Sequence, residues 1–494
     1  MSTLEQFRPL FHPATIAVVG ASATSVSGGN RFIRHLRNFG YAGRIVPIHP
    51  SAPEVEGLPA CRSLGDVPGG VDYAYVAVAA RNAAEVLRSG KGSVRFAQVM
   101  SSGFGETDEG AGLEQDLVAA AREAGTRLIG PNCLGVFSPA ARVTFTEKTL
   151  PEPGPVGIVC QSGGLGIDII RRGQNRGLRY SGLVTIGNAA DLGAAELIEY
   201  FLADDSTRVI GLYLESTREG RRLFEVLRRA NARKPVVLLK GGRTSQGQRA
   251  AASHTGALAG SQLAWDALCR QTGIPLVDTL DEFLDTLLAL QCLTPRNNAS
   301  SRVVLFGNGG GTSVLGTDAF DRAGFTIEPF DAGTQQSLEA LKLPAGSSVA
   351  NPIDVPAGAL QQDEGRVAER VIQTVAASGS ADVLLIHVNM TVILQFRHVD
   401  MLGNIIRAAL RVKEQVQSQM HIALVLRSDG DAETEERKRD YRRQAINSGV
   451  AVFDELAQAA KALSGLRVIE AFRGRNSRYL DSGRTSCRET FTPP

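Results

Sequence analysis

Short apolar runs alternate with amphipathic stretches along nearly the whole chain. Thr15–Val19, Arg44–Ile48, Tyr73–Val78, Phe96–Met100 and Arg127–Ile129 are rich in aliphatic residues and predict strands. Between them, segments such as Asn82–Leu87 and Leu113–Ala124 carry apolar residues at helical spacing. Apolar strands separated by helices predict a parallel sheet covered on both faces. The pattern restarts twice. A second set of strands is predicted at Val156–Cys160, Gly182–Ile186, Val209–Glu215 and Pro235–Lys240, and a third near Val303–Phe306, Val383–Val388, Ile422–Leu426 and Val450–Phe453. The proline-rich stretch 149–155 and the polar stretch 294–300 separate the sets. The fold class expected is therefore α/β, with three doubly wound domains over residues 1–145, 152–294 and 300–470. A tail over 473–494, with Arg475, Arg478, Arg484 and Arg488 among Ser, Thr and Pro, is expected to be disordered.

A length of 494 residues suits three domains of ordinary size. The 53 Lys and Arg against 51 Asp and Glu argue against a general nucleic-acid or membrane-surface partner. The mixed-charge run Glu433–Arg443 reads as a solvated helix face. Six cysteines, at 61, 133, 160, 269, 292 and 487, show no paired or Cys/His ligand spacing, so neither a disulfide framework nor a metal site is expected. That usage fits a reducing, cytoplasmic setting. The apolar stretch Val383–Phe396 is interrupted by His387, Asn389, Thr391 and Gln395, too polar for a membrane span.

The first predicted strand runs into Gly20, Ala21 and Ser22 and then a Gly28-Gly29-Asn30 turn. A strand that ends in glycine before a helix offers backbone N–H groups to a phosphate. The dinucleotide fingerprint asks for G-x-G-x-x-G and an acid after the second strand. This chain has one glycine in the first turn and His49-Pro50-Ser51 at the second. A nicotinamide cofactor is therefore disfavoured, whereas a phosphorylated ribose such as that of coenzyme A meets no repelling carboxylate. Gly130-Pro131-Asn132-Cys133-Leu134-Gly135 follows the last strand of this set, at the carboxyl edge where ligands bind. Cys133 could be a nucleophile or a small buried residue with an inert thiol; no neighbouring histidine activates it.

In the second set, Cys160 leads into Gln161 and then Ser162, Gly163 and Gly164. Ser162 is a good N-cap, and the glycines bare the first N–H groups of the next helix. This is either an anion site or an ordinary strand-to-helix turn. His254 lies in the small-residue stretch Ala251–Gly260, read as a loop, and could accept and pass on a phosphoryl group or cap a following helix. Glu215, at a strand end, could accept the Nδ1–H of His254 or be a solvated acid. Asp191 orders its loop or belongs to the site. The third set repeats a glycine-rich turn, Gly307–Thr312, either structural or a second phosphate site.

Taken together the motifs resemble the α subunit of ADP-forming (NDP-forming) acyl-CoA synthetases, relatives of succinyl-CoA synthetase. The resemblance rests on Val18-Val19-Gly20-Ala21-Ser22, the 130–135 turn, Gln161-Ser162-Gly163, Gly187-Asn188, Tyr213-Leu214-Glu215, Lys240-Gly241-Gly242-Arg243-Thr244, Ser253-His254-Thr255-Gly256 and Asn351-Pro352-Ile353-Asp354, in that order, from about Phe7 to Ser464. It implies a Rossmann-like coenzyme A-binding domain followed by two flavodoxin-like, succinyl-CoA synthetase-like domains. It further implies that His254 is phosphorylated and supported by Glu215, and that Ser162, Gly163 and Gly164 hold the phosphate. Coenzyme A would lie against Gly20, Ala21, Ser22, Pro50, Ser51, Val78, Ala79, Asn132 and Cys133. The substrates implied are phosphate and an acyl-CoA or carboxylic acid. Magnesium-bound nucleotide is expected on a separate ATP-grasp β subunit, in an oligomer. This chain departs from the family at His49-Pro50-Ser51 and at Val78-Ala79-Ala80, where Arg31 or Arg81 could supply a missing charge. The competing expectation is a non-catalytic coenzyme A-binding or regulatory protein.

Overall fold

The computed structural model describes the backbone of residues 1–107, 109–230, 232–255, 261–396, 398–416 and 419–486; the side chains of 252–255, 364–365, 416 and 478–486 lie outside the description. Three main sheets carry the fold. The first contains β1 (Thr15–Val19), β2 (Arg44–Ile48), β3 (Val71–Val76), β4 (Val94–Val99) and β5 (Arg127–Ile129), in the order β2-β1-β3-β4-β5. All its pairings are parallel. A two-strand ribbon, Glu54–Val55 with Leu58–Pro59, follows β2.

The second sheet contains β6 (Val136–Phe137), β7 (Val156–Cys160), β8 (Tyr180–Thr185), β9 (Val209–Leu214), β10 (Val236–Lys240) and β11 (Leu276–Val277), in the order β11-β10-β9-β7-β8-β6. Only β6 runs antiparallel, pairing Phe137 with Leu183 and Val136 with Val184. The chain therefore enters the second sheet before the proline-rich stretch expected to divide the domains. The division expected after residue 145 is accordingly not a division between compact bodies: both sheets belong to one unit, Met1–Leu280. The helix Thr3–Phe11 helps to join them. Phe7 stacks on Phe96 of β4 with centroids 5.8 Å apart, and Phe11 stacks on Tyr200 at 4.0 Å. Each Phe is 1 % exposed, so each contributes about 1.5–3 kcal/mol of apolar burial.

The second unit, Asp281–Pro494, begins inside the helix Leu280–Cys292 and not at the polar stretch 294–300. Residues Phe283–Leu290 of that helix are all buried. Its sheet contains β12 (Val303–Gly307), β13 (Ile353–Asp354), β14 (Val383–Asn389), β15 (His421–Arg427) and β16 (Ala451–Phe453), in the order β13-β12-β14-β15-β16, all parallel.

Two expectations in this unit change. The tail beginning at 473 is helical as far as Ser486, within Leu456–Ser486, and 487–494 lie outside the described residues. Composition misled because anchors sit at its start: Phe472 is buried and Arg473 donates to the Pro295 carbonyl at 2.7 Å. The charged run Glu433–Arg443 lies on the helix Ala432–Asn447, but Lys438 is buried and pairs with Asp454. That face is only partly solvated. Among the described residues no helix is long and apolar enough to cross a membrane.

Candidate active site

Strand order places the first ligand crevice. From β1 the chain passes to β2 on one side and then returns to β3 on the other, so the space beyond the carboxyl ends of β1 and β3 is left open. Gly20 closes β1 at φ 91°, and a Cβ there would stand 2.2 Å from the Ala77 carbonyl oxygen. Only glycine fits. Ser22 is held by Asn30, whose Oδ1 accepts from the Ser22 N–H at 2.8 Å and whose Nδ2 donates to the Ser22 carbonyl at 2.9 Å. Ala79 precedes the helix Ala80–Arg88 without capping it through a side chain, and Val78 accepts from the Ser101 hydroxyl. Gly20–Ser22 and Val78–Ala79 thus share one sheet edge. Pro50 and Ser51 lie past β2, where His49 Nδ1 accepts from the N–H groups of Ser51 and Ala52 at 3.3 and 2.9 Å.

An acid does stand near this crevice, from a place the strand-two reading did not consider. Glu56, at the turn of the ribbon with φ 55°, accepts from Asn30 Nδ2 at 2.8 Å and from both Nε and Nη2 of Arg34 at 3.0 and 2.9 Å. The Arg34 and Asn30 donors outweigh burial and hold its carboxyl below the ordinary range. Glu56 was missed because nothing in the local pattern shows that a ribbon after β2 folds back onto the first turn.

The turn after β5 leads to a second feature. The Gly130–Pro131 peptide is cis and Asn132 has φ 59°, a conformation that turns the chain from the first sheet into the second. Leu134 and Gly135 donate their N–H groups to Thr185 Oγ1 of β8 at 2.9 and 2.8 Å. Asn132 and Cys133 thereby come to line the same cavity, about 500 Å³, as Ser162, Gly163 and Gly164. The Cys133 thiol is 2 % exposed and burial pushes it up to about 12, which favours the inert reading.

Across the cavity, Ser162 caps the helix Gly163–Arg176 and accepts from the Leu165 N–H at 3.3 Å. A Cβ on Gly164 would meet nothing within 4 Å, so the first turn of this helix is open. With its N–H groups and the positive end of its dipole, the helix start suits an anion. Gln161, directly before Ser162, accepts from the N–H groups of Glu215 and Ser216 at 2.7 and 3.0 Å and donates to the Ser216 hydroxyl at 3.2 Å. It ties the helix start to the backbone at Glu215. Glu215 itself is 7 % exposed, so the solvated-acid alternative does not hold. Asn188 Nδ2 donates to Glu106 at 2.6 Å and Glu114 at 2.9 Å, and Glu114 also pairs with Arg218 at 2.8 Å. These bonds join the loop after β4 to the region of Glu215. Asp191 orders its loop, accepting from the Leu128 N–H and Arg127 Nε at 2.8 and 3.0 Å.

The stretch Ala251–Gly260, expected as a loop, begins as helix: Ser245–Thr255 is helical, and His254 lies in its last turn. Thr244 Oγ1 accepts from the Gly247 N–H at 3.0 Å, and the Ala- and Gln-rich sequence that follows favours helix. The His254 side chain and residues 256–260 lie outside the described residues.

In the second unit, the glycine turn Gly307–Thr312 is braced from within. Gly309 N–H donates to Asp354 at 2.7 Å, and buried His387 meets the Ser313 hydroxyl at 3.0 Å. Burial lowers His387 to about 4, so at neutral pH the ring is uncharged.

Comparison with known proteins agrees with this architecture. Residues 14–139 match a coenzyme A-binding domain and residues 153–290 a succinyl-CoA ligase-like flavodoxin domain. The α subunit of ADP-forming acetate–CoA ligase II of Pyrococcus furiosus is 35 % identical over 74 % of this chain and 79 % of its own length. The isoenzyme I α subunit from the same organism is 33 % identical over 92 % of this chain and 96 % of its own. Among solved structures, the dinucleotide-forming acetyl-coenzyme A synthetase 1 of Ca. Korarchaeum cryptofilum, in complex with phosphate and ADP, superposes with a TM-score of 0.82 at 28 % identity, covering 96 % of this chain and 99 % of that one. With coenzyme A-binding and ligase domains in the expected order and relatives at this level over most of its length, the chain belongs to the ADP-forming acyl-CoA ligases of the succinyl-CoA synthetase superfamily, as an α subunit.

Proposed function

We propose that this subunit joins thioester chemistry to phosphoryl transfer through His254. An acyl-CoA and phosphate give an acyl phosphate and free coenzyme A, and His254 takes the phosphoryl group as the carboxylate leaves. A magnesium nucleotide on a separate ATP-grasp subunit then receives it. Coenzyme A would lie at the sheet edge formed by Gly20–Ser22 and Val78–Ala79, with Asn132 and Cys133 at its reactive end and Pro50 and Ser51 towards its ribose. The anion is assigned to the helix start at Ser162, Gly163 and Gly164, and Glu215 is assigned to orient and stabilise the imidazole.

The observation that carries this reading is the shared cavity: residues assigned to coenzyme A and residues assigned to phosphate line the same space, and Gln161 in its wall grips the backbone of Glu215. A thioester and a phosphate can meet there. The glycine that ends β1 and the uncapped helix at Ala80 suit a phosphorylated ligand.

The full chain treated with radiolabelled acetyl phosphate should acquire phosphate that is acid-labile and alkali-stable, as a phosphoramidate is. His254→Asn should remove the label and leave coenzyme A binding unchanged by calorimetry. Label retained in His254→Asn would overturn the assignment.

A further inference from the structure

Several contacts converge on Glu215 that the chemistry above does not use. The Tyr213 hydroxyl donates to Glu215 Oε1 at 2.9 Å. The two residues are separated by one position at the end of β9, so their side chains leave the same face. Gly241, the first residue past β10, lies against both: a Cβ there would stand 2.8 Å from the Tyr213 hydroxyl and 3.1 Å from Glu215 Cγ. Lys240, 4 % exposed, donates from Nζ to the Glu215 carbonyl at 2.8 Å and to the Gly241 carbonyl, with Trp265 5.4 Å from its ammonium. The Tyr213–Glu215 pair therefore stands on the stretch Gly241–Thr244, which leads directly into the helix that carries His254.

We propose that Tyr213 is a positioning residue for phosphoryl transfer: its hydroxyl fixes the rotation of the Glu215 carboxylate and draws its charge towards Oε1, which sets how strongly Glu215 holds the histidine proton. The proposal rests on the roles given to Glu215 and His254 above. In the step concerned, the bond from phosphorus to the acyl oxygen breaks as a bond to the imidazole nitrogen forms. The carboxylate departs, and the Nδ1 proton stays on the ring, shared with Glu215. An over-basic carboxylate would localise that proton and keep the free imidazole protonated to higher pH, where it cannot attack. A hydroxyl donor to Oε1 counteracts this.

Titratable groups that feel the charge of Glu215 include Tyr213 on β9, Cys160 on β7 and Lys240 on β10. Burial first, then the neighbouring carboxylate, raises the Tyr213 hydroxyl well above its ordinary range, so it stays a donor. Burial pushes Cys160 up to about 12, and burial lowers Lys240.

The test is the rate of acid-labile labelling of the full chain by radiolabelled acetyl phosphate, followed across pH for wild type, Tyr213→Phe and Glu215→Gln. In Tyr213→Phe the acidic limb should move up by about one pH unit, the size expected for one hydrogen bond to a charged group. Loss of the donor leaves the carboxylate a stronger acceptor towards the imidazole assigned to it, which keeps that ring protonated to higher pH. Gly241→Ala, which keeps both side chains but crowds the hydroxyl, should shift the limb the same way. A Tyr213→Phe profile superimposable on wild type, or lowered equally at every pH, while Glu215→Gln is slow, overturns the role of Tyr213 alone. Glu215→Gln labelling at the wild-type rate overturns the assignment of Glu215 and this proposal with it.

Discussion

Glu470 offers a quantitative test of how the second unit is held together. It is fully buried on the helix Leu456–Ser486 and accepts from the N–H groups of Arg296 and Ser300 at 3.0 and 2.9 Å, the Ser300 hydroxyl at 2.5 Å and His421 Nε2 at 2.7 Å. Burial opposes its charge, but the His421 and Ser300 donors prevail and hold the carboxyl below its ordinary range. Glu470→Leu would fill much of the same volume while stranding the Ser300 N–H and the His421 ring and removing the carboxylate that pairs with Arg296 Nε at 3.4 Å. Removing one partner of such a buried pair costs about 3–5 kcal/mol. With a urea dependence on the order of 2 kcal/mol per molar, the midpoint should fall by roughly 2 M. The only tryptophan, Trp265, lies in the first unit, so fluorescence reports that unit while hydrogen exchange in β14 and β15 reports the second. The exchange-detected transition should move. Because the folded carboxyl is lowered, its contribution is present above the unfolded value of about 4.3 and disappears as pH falls through the folded one. A loss under about 1 kcal/mol in Glu470→Leu would refute the reasoning, since it would mean that these donors find partners as good elsewhere.

Three further outcomes are expected. Gly20→Ala forces a Cβ to 2.2 Å from the Ala77 carbonyl at φ 91°, so it should cost about 1–3 kcal/mol of stability and abolish coenzyme A binding by calorimetry; wild-type affinity would count against the assigned crevice. His387, lowered to about 4 by burial, binds its proton more readily in the unfolded chain, so the second unit should gain about 3 kcal/mol between pH 4 and 6.5 as pH rises. Hydrogen exchange across pH should show this slope, and it should flatten in His387→Gln. Mild alkylation at neutral pH should modify the partly exposed Cys61 and Cys292 and spare Cys133, whose thiol is pushed up to about 12; peptide mass spectrometry that finds Cys133 modified first would contradict its burial.

Much of the architecture was legible because buried parallel strands are apolar on both faces and so read as continuous runs. β1, β2, β5 and β7 match their expected bounds, and most others shift by one or two residues. The strands overlooked, β6, β11, β13 and the two of the ribbon Glu54–Val55 with Leu58–Pro59, are two residues each and carry no periodicity to detect. Glycines and the N-cap serine marked the turn before the helix Gly163–Arg176 because local backbone geometry demands those residue types. Glu56, Gln161 and Tyr213 were not assigned roles, since theirs depend on partners far away in sequence or on which face a strand end presents. The helical start of the His254 segment was hidden by the look of its small residues, which suit a loop and a helix alike.

The antiparallel strand β6 has a consequence for how the molecule can be divided. It is encoded with the coenzyme-binding segment yet completes the sheet that carries the turn assigned to phosphate. A fragment starting at the ligase-like segment would leave β8 as a bare edge, with backbone groups of Leu183 and Val184 available to a strand of another molecule. Such a fragment is expected to self-associate, and a fragment ending before Val156 would present β6 without its neighbour. A gene rearrangement that parted the two segments between these sheets would therefore yield two sticky proteins.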